Sequence, residues 1–184
     1  MANRSYLYAC NVVPLKSSTP DSLRIKGITE YNYGVPAITT AFIGAKFIKF
    51  TQSTIWEDPD AVCTVSDFKS GYDLYIEYAT KMADLKLNDF NHDELSRQKQ
   101  FLERNKARFA IGELGELAVM DARSSDGWKE INKIVQKMTK VVINDANYMR
   151  KAVRLKDQKF IKFVNKFRDR FQMDVYLSNI LYYS

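Results

Sequence analysis

Glu113 and Glu116, three residues apart, are the closest this sequence comes to a pair of reacting groups. On a helix that spacing puts both carboxylates on one face, where they could act as acid and base or hold a hard cation. The commoner use of such a pair is a solvated face. Asp58 and Asp60 flank Pro59 and read as turn formers, a Ca²⁺ site being the rarer outcome. The single histidine, His92, stands among Asn91, Asp93 and Glu94 at a helix start and reads as a titrating surface group. Cys10 and Cys63 are too few and too distant for a disulfide framework or a Cys-x-x-Cys metal site, so they read as small buried apolar residues in a reducing compartment. The sequence has no Gly-x-Ser-x-Gly elbow, P-loop, Gly-x-Gly-x-x-Gly or His-Glu-x-x-His run. The expectation is a non-enzyme with no catalytic residue, cofactor or metal site.

Asp145 interrupts the clearest pattern in the chain. Trp128, Ile131, Val135, Met138, Val142, Met149 and Ala152 recur at alternating steps of three and four, the seam of an α-helix, and Asp145 occupies the missing position. A carboxylate on a buried face costs several kcal/mol unless a cation or donor meets it. Residues three and four away on the same helix are Val141, Val142, Tyr148 and Met149, which offer none. Either another segment supplies the partner, or Asn144-Asp145 caps a fresh helix and the rod kinks there.

The same region carries the charge. Residues 150–170 hold nine bases against two acids, which accounts for the whole net charge of +6. Phe160, Phe163, Val164, Phe167 and Phe171 form an apolar stripe beside Lys159, Lys162, Lys166 and Arg170, so the segment reads as a basic amphipathic helix. Such a face can contact phosphates. Its aromatics lie at core spacing, however, and residues 57–94, with ten acids against three bases, could neutralise it within the fold.

The elements that must position these groups are legible in places. Residues 5–13 alternate as a strand ended by Pro14, with Tyr6, Tyr8, Cys10 and Val12 on one side and Leu7, Ala9 and Val13 on the other. Residues 16–22 read as a loop. Residues 27–36 set Tyr31 and Tyr33 two apart and end in Pro36, which suits the first turn of a helix presenting Ile38, Ala41, Phe42 and Ala45. Strands are expected at 47–51 and 62–65. Ser66 or Asp67 then caps a helix facing inward through Tyr72, Tyr75, Ile76, Ala79, Met82 and Ala83. Residues 87–91 break it, and Asn91 caps a mostly solvated helix running to Arg108 on a narrow stripe of Leu95, Leu102 and Phe109, seven apart. Residues 111–120 fit helical spacing despite Gly112 and Gly115, and 123–127 form a turn. The apolar tail from Met173 should dock.

At 184 residues the chain suits one domain, 1–184, in which 1–88 could form a mixed α/β lobe and 89–184 a helical one. The fold class expected is α+β, mostly α, with two or three short N-terminal strands packed on helices and a helical C-terminal half built on the long seam. No apolar run is long enough to span a bilayer, and Tyr6 to Ala9 is too short for a signal-peptide core, so no membrane association and a cytoplasmic location are expected.

The opening Met1-Ala2-Asn3-Arg4-Ser5-Tyr6-Leu7-Tyr8, followed by Ile28-Thr29-Glu30-Tyr31-Asn32-Tyr33-Gly34-Val35-Pro36, resembles an uncharacterised family of bacterial proteins. The resemblance covers about residues 1–85, including Trp56-Glu57-Asp58 and Gly71-Tyr72. It implies a bacterial cytoplasmic protein of unknown function and carries over no catalytic residue. The function expected from the residues themselves is a non-catalytic protein-binding module, of the kind by which an immunity protein neutralises a cognate bacterial toxin. The candidate partner-binding residues are Lys159, Lys162, Lys166, Arg170, Tyr31, Tyr33 and Trp56. The alternative is nucleic-acid binding through the basic helix 150–170, with weak affinity expected.

Overall fold

A computed structural model describes residues 3–13, 25–53, 55–56, 58–122 and 127–181. The loop expected at 16–22, most of the turn at 123–127, Glu57, Tyr182 and Tyr183 lie outside the described residues. The architecture is α+β. Strands β1 (Arg4–Cys10), β2 (Lys26–Asn32), β3 (Phe47–Gln52), β4 (Val62–Asp67) and β5 (Phe109–Glu113) form one antiparallel sheet in the order β2-β1-β5-β4-β3. Among the described residues six α-helices accompany it: α1 (Ala37–Gly44), α2 (Phe68–Asp84), α3 (His92–Arg104), α4 (Gly115–Asp121), α5 (Trp128–Val153) and α6 (Asp157–Lys166). The described residues thus hold five strands rather than two or three, and these are spread along the chain.

The main correction concerns residues 111–120, and Phe109, expected on the stripe of the preceding helix, opens β5 instead. The segment expected to be one helix is a central strand followed by a short helix, and β5 pairs with β1 on one side and β4 on the other. Gly112 explains why. A Cβ there would lie 2.3 Å from Ile43 Cδ1 and 2.6 Å from Thr64 Oγ1, so only glycine lets the neighbouring layer close over the strand. Strand alternation holds along β1. Leu7 and Ala9 enter the large core with α1, α2 and α5, while Tyr6, Tyr8 and Cys10 join Cys63, Val65 and Ile111 on the opposite sheet face.

Helix caps lie where the sequence placed them. Asp67 accepts from the Ser70 amide at 2.8 Å, and Asn91 accepts from the amides of Asp93 and Glu94 at 3.0 Å. Left-handed backbone at Lys86, Asn88 and Asp89 separates α2 from α3, which ends at Arg104 rather than Arg108. Helix α5 runs unbroken through Asn144 and Asp145 and buries Ile131, Val135, Val142, Met149 and Ala152, so the kink alternative falls. At its C-terminus Lys81 of α2 donates to the carbonyls of Val153 (3.1 Å) and Leu155, stands over the Phe160 ring, and lies 3.9 Å from Asp157. The chain then re-enters as α6, so the basic stretch 150–170 is two helical pieces and a turn. The tail docks against β2, with a bridge from Leu177 to Thr29 and the Ser178 amide donating to Ile28 O at 3.1 Å. No helix of the described residues is long and apolar enough to cross a membrane.

Candidate functional site

Glu113 and Glu116 are buried, not on a solvated helix face. Glu113 ends β5, and Ser53 Oγ lies 3.0 Å from each of its carboxylate oxygens. Glu116, in the first turn of α4, accepts from the Tyr6 hydroxyl at 2.9 Å and from the Arg4 amide at 2.8 Å. The pair therefore ties α4 and β5 to the start of β1 and to the loop after β3. Burial, reinforced by the Glu113 charge, pushes the Cys63 thiol well above its ordinary range. Burial also raises the phenols of Tyr6 and Tyr8. At neutral pH these groups are held protonated, which suits a structural cluster better than a nucleophile.

The remaining sequence candidates have local roles. His92 sits 3.3 Å from Asp84 at the surface, and Asp58 accepts from the Asp60 amide at 2.9 Å in a turn. Cys10 and Cys63 are both buried and unbridged. Among the described residues no group of three or more His, Cys, Asp and Glu could hold a metal ion.

The surface of α5, α6 and the turn after them is different. Residues 128–170 carry thirteen bases against four acids. Phe160 and Val164 of α6 are buried, which turns Lys159, Lys162 and Lys166 outward. Lys166 lies 5.4 Å from the Phe167 ring centre, and none of these three lysines pairs with an acid among the described residues. Among the described residues no acid of 57–94 forms an ion pair with these lysines. Among the described residues the single ion pair joining that segment to α6 is Lys81 with Asp157, of opposite sense.

Arg170 is used within the protein. Its Nε donates to Asp145 Oδ2 at 2.7 Å, so a separate segment does supply the partner of the seam carboxylate. The buried Asp145 is 5% exposed, its Oδ1 has no hydrogen-bond partner, and burial holds its carboxyl above the ordinary range, with Arg170 opposing. Beside this pair opens a groove of about 280 Å³ lined by Val35, Met138, Val141, Val142, Asp145, Asp169 and Arg170. Val141 lines this groove and is 43% exposed; Tyr148, seven residues on and so on the same side of α5, is 50% exposed and stacks on Phe167.

The aromatic candidates are dispersed. Tyr33 is exposed on the loop between β2 and α1, near the groove through Val35; Tyr31 is half-buried on β2. Trp56 packs edge-on against Trp128, 4.9 Å between ring centres. Sequence reasoning missed Val141 and Tyr148. The signal was available, since both lie off the buried seam and among the solvated Lys137, Lys140 and Asn144.

Residues 11–155 match the family model described as a domain of unknown function (DUF7822), and the chain belongs to that family. The match begins after the opening Met1–Tyr8 and runs beyond residue 85 to the end of α5, leaving α6 and the tail outside it. No curated protein and no solved structure matches the chain.

Proposed function

We propose that this member of the DUF7822 family is a non-catalytic protein-binding module that docks its partner on the α5–α6 face. The observation that carries the reading is the exposure of Val141 at a groove and of Tyr148 on the same side of α5, within a surface where Lys159, Lys162 and Lys166 pair with no acid among the described residues. Apolar anchors inside a charged rim are the ordinary anatomy of a protein interface. The burial of Glu113 and Glu116 against the protein's own donors supports the non-catalytic part. In its finer form, the module is an immunity protein and the face is its toxin contact.

Nucleic-acid binding is the second reading, favoured by the unpaired Lys159, Lys162 and Lys166. Against it, Phe160 of α6 packs against Tyr78 and Phe163 against Phe171, so α6 does not interleave exposed rings with its lysines and base stacking on this face would rest on Tyr148 of α5.

A photo-crosslinking residue placed at Tyr148 in native cells tests the proposal, with Ile48 on β3 as the exposed control position. The expected outcome is one protein crosslinked from position 148 and not from 48, which then binds the intact chain after both are purified. Crosslinking to nucleic acid alone, or identical products from both positions, contradicts it.

A further inference from the structure

We infer that Arg170 is a receptor for a carboxylate side chain of an acidic protein partner, with the buried Asp145 as the residue that positions it. The inference rests on the protein-binding reading and names the chemistry of the partner. Asp145 is fixed by the packing of α5, and it takes the guanidinium by Nε alone. The two terminal nitrogens of Arg170 have no acceptor among the described residues, and the side chain is 44% exposed. A guanidinium anchored at Nε has lost the freedom that makes most surface arginines costly to order, and its outer edge still offers two parallel donors, the geometry that matches a carboxylate.

The surroundings select among anions. Val35, Met138, Val141 and Val142 form an apolar wall beside the guanidinium, suited to an aliphatic residue adjacent to the incoming acid. Asp145 and Asp169 line the same groove, and two carboxylates at close range oppose a phosphate more strongly than a singly charged carboxylate. The wider field is positive: Lys137, Lys140, Lys166 and Arg168 are all exposed and would draw an acidic surface towards the groove. An acidic polypeptide carrying aliphatic residues between its acids meets every one of these features.

The test uses the full-length protein and a labelled, N-acetylated hexapeptide alternating Glu and Leu, followed by fluorescence anisotropy at about 0.15 M salt, where remote charges are screened. Arginine Nε–H resonances are recorded in parallel by NMR. Saturable binding is expected, with the Arg170 Nε–H resonance moving at the same midpoint. Arg170→Lys should weaken binding by at least about tenfold, since an ammonium cannot present two parallel donors. Lys99→Gln, at an exposed lysine of α3, should change it by less than about threefold. The double variant Asp145→Asn/Arg170→Gln, which strands no buried charge, should also lose the peptide, and a hexapeptide of Lys and Leu should not bind.

Absence of peptide binding, or binding indifferent to Arg170→Lys, overturns the inference. So does a single-stranded DNA 12-mer that displaces the peptide with the same dependence on Arg170, because the guanidinium would then be a phosphate contact. Failure here is separable from failure of the broader reading. A protein that still crosslinks to position 148 in the Arg170→Lys chain leaves the binding module standing without its carboxylate receptor, whereas loss of specific crosslinking in the wild type removes both.

Discussion

Asp145 and Arg170 are unequal partners, and the inequality makes a prediction. Arg170 is nearly half exposed and can turn to water if its acid is removed, whereas Asp145 is buried with Arg170 as its one hydrogen-bond partner among the described residues. Asp145→Asn should therefore cost less than about 1 kcal/mol and Arg170→Gln about 2 to 3 kcal/mol at neutral pH. The pH dependence has a definite sign. The Asp145 carboxyl is raised by burial, so its contribution favours the fold below the unfolded-state pKa and is lost as pH rises through the raised value. Removing Arg170 raises it further. The stability gap between wild type and Arg170→Gln should then be small near pH 4 and widen towards pH 7, as urea unfolding at several pH values would show. A gap independent of pH would place Asp145 in solvent. The need for a partner could be read from the sequence, because the seam position is apolar everywhere else. The partner's identity could not, since Arg170 is one of nine bases between residues 150 and 170 and only the turn after α6 decides which returns to α5.

The helices show how far local signals reach. Asp67 and Asn91 mark the starts of α2 and α3 because short polar side chains satisfy orphan amides wherever a helix begins. The seam of α5 is legible for a similar reason, period being a local property. Strand β5 is not, because its identity comes from β1 and β4 on either side, and its Gly112 reflects an approach by Ile43 from far away in sequence. A second such approach fixes α5 against α1. A Cβ added at Gly44 would lie 2.5 Å from Ala146 Cβ and 2.7 Å from Val142 O, so backbone would have to move. Gly44→Val should destabilise by about 2 kcal/mol or more through overpacking, even though valine suits many buried positions. The same change at Gly127, where nothing lies within 4 Å, should be nearly neutral, and thermal melting of both variants is the check. Equal melting temperatures would mean that α1 and α5 do not pack as closely as described.

Across the whole molecule, the sheet gathers its strands from both halves of the sequence, so the α+β class was legible while the strand count and order were not. Burial divides the charged residues into two populations: Glu113, Glu116 and Asp145 are spent on internal donors, while Lys159, Lys162 and Lys166 face outward and pair with no acid among the described residues. The central claim is that this outward basic face serves a protein and not a phosphate backbone. Arg170 is left intact in the deciding variant because of its tie to Asp145. The measurement is the affinity of the intact chain for single-stranded and duplex nucleic acid across a salt series, for wild type and for Lys159→Gln/Lys162→Gln/Lys166→Gln. The account predicts dissociation constants no tighter than about 10⁻⁶ M at physiological salt, in the range of non-specific binding by any basic surface, and little change in the triple variant. Sub-micromolar binding with a log-log salt slope near about −3, abolished in a triple variant that still melts like wild type, would contradict it.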